Sequence, residues 1–241
     1  MSKLGDAIRR SQRVEAAPMG FGAARPAQRP SMLVGFMGPE GDLAAAVSAG
    51  ADFALVESSG TPDAKGLRTS AGSLPLGIAS AIADSEAAKT LQEGGVDALL
   101  VNDSTPAAAL LNEDLGYVLT LPAGAEELYL RSLDSLNLEA VLLETIPSPL
   151  TVAAQIELGR IAGLARKPLL CKATPGLSKD DLQCLRAAGC VGLLTDAGSI
   201  ASLKESVAAL PLKKQRKEDR AVVSLPRGGQ AAAEEHEEED E

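Results

Sequence analysis

The strongest constraint on this chain is the spacing of its short aliphatic runs. Eight recur between residues 32 and 196: MLVGFM (32–37), FALVES (53–58), LPLGIAS (74–80), ALLVND (98–103), YVLTLP (117–122), AVLLET (140–145), PLLCKAT (168–174) and VGLLTD (191–196). Each is short, dominated by aliphatic side chains and bounded by polar or turn-forming residues, which predicts a strand. Runs that are apolar throughout, rather than alternating with polar residues, belong to strands buried on both faces, as in a parallel sheet covered by helices.

The intervening stretches supply those helices. GDLAAAVSAG, DSEAAKTLQEGG, TPAAALLNEDLG, GAEELYLRSLDSLN, SPLTVAAQIELGRIAGLAR, SKDDLQCLRAAG and SIASLKESVAAL place apolar residues at helical spacing. Ser85, Thr105, Ser148, Ser178 and Ser199 stand where a side-chain oxygen can take a free N–H of a first turn, and Gly50, Gly94, Gly116 and Gly189 stand where helices end. Between the second and third runs, SSGTPDAKGLRTSAGS lacks a clear apolar face and is expected to be irregular, lying over one end of the fold. An open doubly wound sheet would usually carry G-x-G-x-x-G after its first strand, and GFMGPEGD does not have that spacing. Eight such units close more readily into a ring. The expected fold is therefore α/β, a single (β/α)8 TIM barrel over residues 31–212. Its even-numbered strands share a weak repeat, AGADFALVES, GGVDALLVND, SLNLEAVLLET and AAGCVGLLTD, that runs from a helix end into a strand finishing near an acid.

The two ends read differently. Residues 1–30 form a basic arm in which Leu4, Ile8 and Val14 have partial helical spacing, so a short helix is expected either to cover the barrel floor or to contact a partner, including a second copy. PMGFGAARPAQRP reads as a linker. Residues 213–241 hold the charge runs KKQRKEDR and EEHEEEDE and are expected to be disordered, with AVVSLP the one apolar island. The core must be aliphatic, because Phe36, Phe53, Tyr117 and Tyr129 are its only aromatic candidates. Residues 31–212 carry 11 basic and 22 acidic residues within a net charge of −10, and such a body repels nucleic acid. With no N-terminal apolar run and no apolar stretch of membrane-spanning length, the expectation is a cytoplasmic protein with no membrane partner. Cys171, Cys184 and Cys190 lack the paired spacing of zinc or redox motifs and are expected to be buried free thiols.

Barrel enzymes work at the C-terminal strand ends. Here those ends offer Glu57, Ser58, Ser80, Asn102, Asp103, Thr120, Glu144, Thr145, Lys172, Thr174, Thr195 and Asp196. The sole histidine, His236, lies in the acidic tail, which excludes histidine-based triads, zinc sites and acid–base pairs from the barrel. Lys172 is the one lysine inside a strand. Set among Leu169, Leu170, Cys171 and Ala173, it sheds part of its hydration, which favours a Schiff-base amine. The same ammonium can instead hold a substrate carboxylate or phosphate, or neutralise Glu144 or Asp196. Glu57, Asp103, Glu144 and Asp196 are candidate Mg2+ ligands, since hard cations prefer carboxylate oxygens.

The closing segment LLCKATPGLSKDDLQCLRAAGCVGLLTDAGS resembles the last two units of aldolase-type phosphate-binding barrels, in which a lysine-bearing strand precedes a Gly-containing loop and a later strand leads to a Gly-Ser turn. The resemblance covers these last two units, and the rest agrees only at fold level. It implies a phosphate-binding role for Gly176, Gly198 and Ser199, with Thr174 at the same strand end. Pro175 stands where such barrels usually have a glycine and removes one N–H that would point at phosphate. The resemblance further implies a lyase or isomerase acting on a small anionic or phosphorylated carbonyl metabolite, with Lys172 holding or activating the carbonyl and Glu144 or Asp196 moving protons. Two other readings stand beside it: a flavin-dependent barrel with the FMN phosphate on the same two loops, and a non-catalytic barrel that serves as a binding or scaffold subunit through its arm and tail.

Overall fold

A computed structural model describes residues 2–12, 32–80, 82, 84–147 and 149–211. Eight parallel strands close into a barrel in sequence order: β1 (Leu33–Pro39), β2 (Phe53–Glu57), β3 (Leu76–Ala79), β4 (Ala98–Val101), β5 (Gly116–Thr120), β6 (Ala140–Leu143), β7 (Leu169–Lys172) and β8 (Cys190–Thr195), with β8 paired back to β1. The helices are α1 (Lys3–Gln12), α2 (Leu43–Ser48), α3 (Ala64–Ala71), α4 (Ser85–Glu93), α5 (Glu127–Ser132), α6 (Val152–Ala165), α7 (Lys179–Ala187) and α8 (Ile200–Ala208). All eight predicted strands are present.

Side chains alternate across each strand between the barrel interior and the helical layer. One cluster fills the interior, with Leu33, Met37, Phe53, Leu55, Ala98, Val118, Ala140, Leu142, Leu170 and Leu194. A second, with Val34, Phe36, Val56, Leu99, Tyr117, Val141, Cys171 and Leu193, meets the helices. Cys171 and Cys190 are buried, Cys184 is half-buried, and all three are free, so the expected burial holds for two of the three. The Cys190 thiol beside it, together with burial, pushes the Cys171 thiol up.

An interior with one phenylalanine is filled by pairing large residues with glycines. The register sets Gly35 beside Phe53, Gly77 beside Leu55 and Gly192 beside Leu170. Each large side chain lies across the neighbouring glycine. A methyl added at Gly35 would fall 2.7 Å from Cε1 of the Phe53 ring, which is fully buried and has no room to retreat. Gly35→Ala is therefore expected to lose about 1–3 kcal/mol by overpacking. Denaturant titration should show an earlier midpoint with an unchanged slope, and an unmoved midpoint would mean that the ring relocates freely.

The floor of the barrel is closed by α1. Leu4 and Ile8, each 1% exposed, join the interior cluster from below, so of the two expectations for the arm helix, covering the floor is the one realised. Ser2 anchors it. The Ser2 hydroxyl donates to Glu139 and accepts the Gly5 N–H at 3.1 Å, while the Ser2 N–H donates to Glu139 Oε1 at 3.3 Å. With its apolar face committed to its own barrel, α1 gives no support to oligomerisation through this helix. Residues 13–31 and 212–241, which include the expected linker and tail, lie outside the described residues.

The repeat in the even strands has its clearest structural meaning at this floor. Asp52 and Asp97, each just before its strand, donate a backbone N–H to the preceding odd strand and accept that same residue's N–H on the side chain. Val34 N donates to Asp52 Oδ2 at 2.8 Å and Leu76 N to Asp97 Oδ2 at 3.0 Å. Lys204 pairs with Asp52 at 2.8 Å, and Arg68 and Lys3 pair with Asp97 at 2.9 and 3.3 Å. Asp97 thus ties β3, α3 and α1 together. Asp97→Ala strands one N–H and two cations, one of them largely buried, and is expected to cost about 2–3 kcal/mol. Thermal melts of this variant beside Asp134→Ala, an exposed ion-pair control, should separate by several degrees; equal melting temperatures would refute the clamp.

Two connections depart from expectation. The stretch expected to be irregular holds α3, because Asp63 accepts the Gly66 N–H at 3.1 Å and Ala64, Leu67 and Ala71 form a buried stripe. After β4, the expected helix is only a 3-10 segment, Ala107–Leu111. The buried Tyr117 hydroxyl sits 2.7 Å from the Ala109 carbonyl and 3.0 Å from that of Asn112, taking acceptors that a longer helix would use internally. Capping differs in detail. Ser178 caps α7 in a reciprocal box with Asp181, whereas Asp84 rather than Ser85 caps α4, Thr151 caps α6, and Thr105 accepts the Asn102 N–H in a turn. Ser148 lies outside the described residues.

Candidate functional site

The mouth of the barrel inherits its chemistry from strand parity. Extending the interior positions of each strand by two brings Glu57, Asn102, Thr120, Glu144, Lys172 and Asp196 to the inner side of the C-terminal rim. Ser58, Asp103, Thr145 and Thr195 fall on the other parity. The register pairs Leu143 with Cys171 and Lys172 with Leu194. Glu144 and Lys172 consequently follow side by side on neighbouring strands, about 5 Å apart in backbone, while Asp196 stands one interior position further out.

These groups differ in what they are free to do. Among the described residues, the Lys172 side chain makes no hydrogen bond or ion pair, so it neutralises neither Glu144 nor Asp196. Two residues on, the Thr174 hydroxyl is buried and has no hydrogen-bond partner among the described residues. Glu57 and Glu144 are exposed and likewise unpaired among these residues. Asn102 is turned into its own loop, accepting from the Ser104 N–H and hydroxyl at 3.0 and 2.6 Å.

Asp196 is committed. Its Oδ1 accepts the Ser199 N–H at 3.1 Å and its Oδ2 the Ser199 hydroxyl at 2.9 Å, capping the 3-10 turn Ala197–Ser199 that leads into α8. The loop after β7 is similar in character. Gly176 adopts a positive φ of 82°, and beyond it the Ser178 hydroxyl donates to Asp181 at 2.7 Å while accepting the Asp181 N–H at 3.1 Å. Gly198 is exposed between Asp196 and Ser199. The Ser199 donors expected to hold phosphate therefore face the Asp196 carboxylate.

The four candidate Mg2+ ligands do not gather. Among the described residues no three Asp, Glu, His or Cys side chains come together as a metal site. Asp103 instead accepts the Tyr129 hydroxyl at 2.5 Å. Partial burial, and then this carboxylate, raise the Tyr129 phenol well above its ordinary value. An unfolded tyrosine ionises near pH 10. The native phenol holds its proton longer, so its contribution to stability is complete below that pH and is lost as the pH rises beyond it. Stability measured from about pH 9 to about pH 11 should fall less steeply in Tyr129→Phe than in the parent, and parallel curves would count against this contact.

A cavity of about 970 Å3 opens beside the mouth, lined by Ser59, Asp63, Lys65, Ser80, Thr90 and Glu93 among others. None of the predicted site residues except Ser80 borders it. Its charged walls, Asp63, Lys65 and Glu93, are solvent-exposed, so the mouth remains the better candidate.

No family model matches the sequence, and no curated protein matches it. The structure, in contrast, is similar to solved barrels. Thiamine phosphate pyrophosphorylase from Pyrococcus furiosus superposes with a TM-score of 0.56 at 11% identity, covering 74% of this chain and 96% of that one. Phosphoribosyl anthranilate isomerase from Thermus thermophilus gives 0.55 at 13%, covering 75% and 100%. The 3-keto-L-gulonate-6-phosphate decarboxylase from Vibrio cholerae gives 0.58 at 9%, covering 75% and 99%. Among the described residues, no helix is long and apolar enough to cross a membrane. At these identities the likeness establishes architecture alone, and the chain has the (β/α)8 barrel fold.

Proposed function

We propose that this barrel is an enzyme of the lyase or isomerase type acting on a small anionic carbonyl metabolite. The observation that carries this reading is Lys172, an inward-facing ammonium at a strand end with no partner among the described residues, beside an unpaired glutamate. An unpaired cation in a half-buried site is unfavourable for the protein alone and becomes favourable when an anionic or carbonyl ligand arrives. The solved barrels it resembles include enzymes named for phosphate-bearing small molecules, which supports the reaction type without fixing a substrate.

Lys172 and Glu144 form the working pair. With its proton passed to Glu144, Nζ attacks the substrate carbonyl carbon, and the carbonyl oxygen leaves as water when the C=N bond forms. Glu144 returns its proton to the departing oxygen, which leaves a protonated iminium and a Glu144 carboxylate free to take a proton from the neighbouring carbon and later return it. Asp196, whose oxygens are held by Ser199, shapes the loop instead. Borohydride treatment in the presence of small oxo acids should add the reduced ligand mass at Lys172; a panel that labels no lysine, or labels only exposed ones, would refute the Schiff-base step.

A further inference from the structure

The proposed reading leaves open what kind of anion the substrate carries, and the two final loops decide it. In barrels of this class a phosphate rests on the loops after β7 and β8, at a helix N-terminus where backbone N–H groups and the helix dipole favour negative charge. Here that position is filled from within. Asp196 takes both the backbone N–H and the hydroxyl of Ser199. On the β7 side, Pro175 has no N–H to offer, and Asp180 and Asp181 occupy the first turn of α7. A phosphate entering between Gly176 and Gly198 would meet the Asp196 carboxylate and this acidic turn, and like charges at such range repel.

The cation of the mouth lies deeper. Lys172 and the partnerless Thr174 hydroxyl sit on the interior side of β7, and together they offer one positive charge and one neutral donor. That pair suits a carboxylate better than a dianion. We infer that Asp196 acts as a built-in substitute for phosphate, and that the substrate is a small non-phosphorylated oxo acid whose carboxylate is first met by the Lys172 ammonium and stays on the Thr174 hydroxyl when Nζ bonds the carbonyl carbon. This assignment rests on the function proposed above for Lys172; the exclusion of phosphate by Asp196 does not.

The test uses the full chain, isotopically labelled, with backbone amides of Ala173, Thr174, Gly176, Gly198 and Ser199 followed by NMR. Two probes are titrated, inorganic phosphate and pyruvate. Phosphate should leave Gly198 and Ser199 unmoved in the parent and shift them in Asp196→Gly, with affinity raised roughly tenfold or more. Asp196→Asn, which keeps an acceptor for the Ser199 N–H but removes the charge, should fall between the two and guards against a collapsed loop in the glycine variant. Pyruvate should shift Ala173 and Thr174, and the response should vanish in Lys172→Met. Phosphate moving Gly198 and Ser199 equally in parent and variants would overturn the role of Asp196. Should phosphate behave as expected while pyruvate moves nothing, the exclusion stands and the oxo-acid assignment falls.

Discussion

Lys172→Met should abolish ligand binding and turnover, lowering affinity for small oxo acids by about 100-fold or more, while leaving the fold at least as stable as before. The two effects have one cause. In the free protein the Lys172 ammonium has no partner among the described residues, so its partial removal from water is not offset by an ion pair. Replacing it with an apolar chain of similar length relieves that cost and fills the same space. A gain in melting temperature combined with a loss of binding is the signature of a strained functional residue. A merely structural lysine would give the opposite pairing, with stability falling and binding intact. Lys172→Arg sharpens the test, since it keeps the charge but cannot form a Schiff base; retained oxo-acid binding without borohydride trapping would assign both roles to the amine.

Removal of residues 2–12 is expected to have the largest effect on stability. The segment contributes Leu4 and Ile8 to the interior cluster, and burial of two such side chains stabilises by about 2–3 kcal/mol each. Its departure also uncovers the barrel floor at β5 and β8, leaves Glu139 without Ser2, and takes Lys3 from Asp97. Against a typical total of about 5–15 kcal/mol, this loss consumes much of the margin. The truncated protein should keep its far-ultraviolet dichroism, lose cooperativity on melting and bind a hydrophobic dye. Leu4→Ala combined with Ile8→Ala, which keeps the helix but empties its face, should reproduce most of the loss. Unchanged melting in both would show that the floor seals itself without α1.

The outline of this fold was legible because each strand and its covering helix carry a local pattern, and closure follows from counting. What escaped was set by distant contacts. The helix α3 was hidden because its buried stripe is two alanines and one leucine, a face too small to stand out, and because its fastening comes from Arg68 reaching Asp97, far along the chain. The helix expected after β4 is cut short by a tyrosine hydroxyl that belongs to the next strand. Within the site, strand alternation placed Glu144 and Lys172 on one face, and the barrel register made them neighbours. The capture of Asp196 by Ser199 depends on the local path of a turn, which residue types alone do not determine. The repeat in the even strands was read for the acids at its ends, whereas the acids at its beginnings, Asp52 and Asp97, hold the barrel floor.

The floor helix also orders events during synthesis. α1 is made before every strand of the barrel, yet it rests on β5 and β8, and β8 is complete only at Thr195. Until β8 pairs with β1, its apolar face has no place to go. A nascent chain therefore carries an uncovered amphipathic helix while the barrel is being made, available to chaperones that recognise such faces. Seating it is a late step that certifies a closed barrel, so a helix made before every strand is among the last elements to be folded.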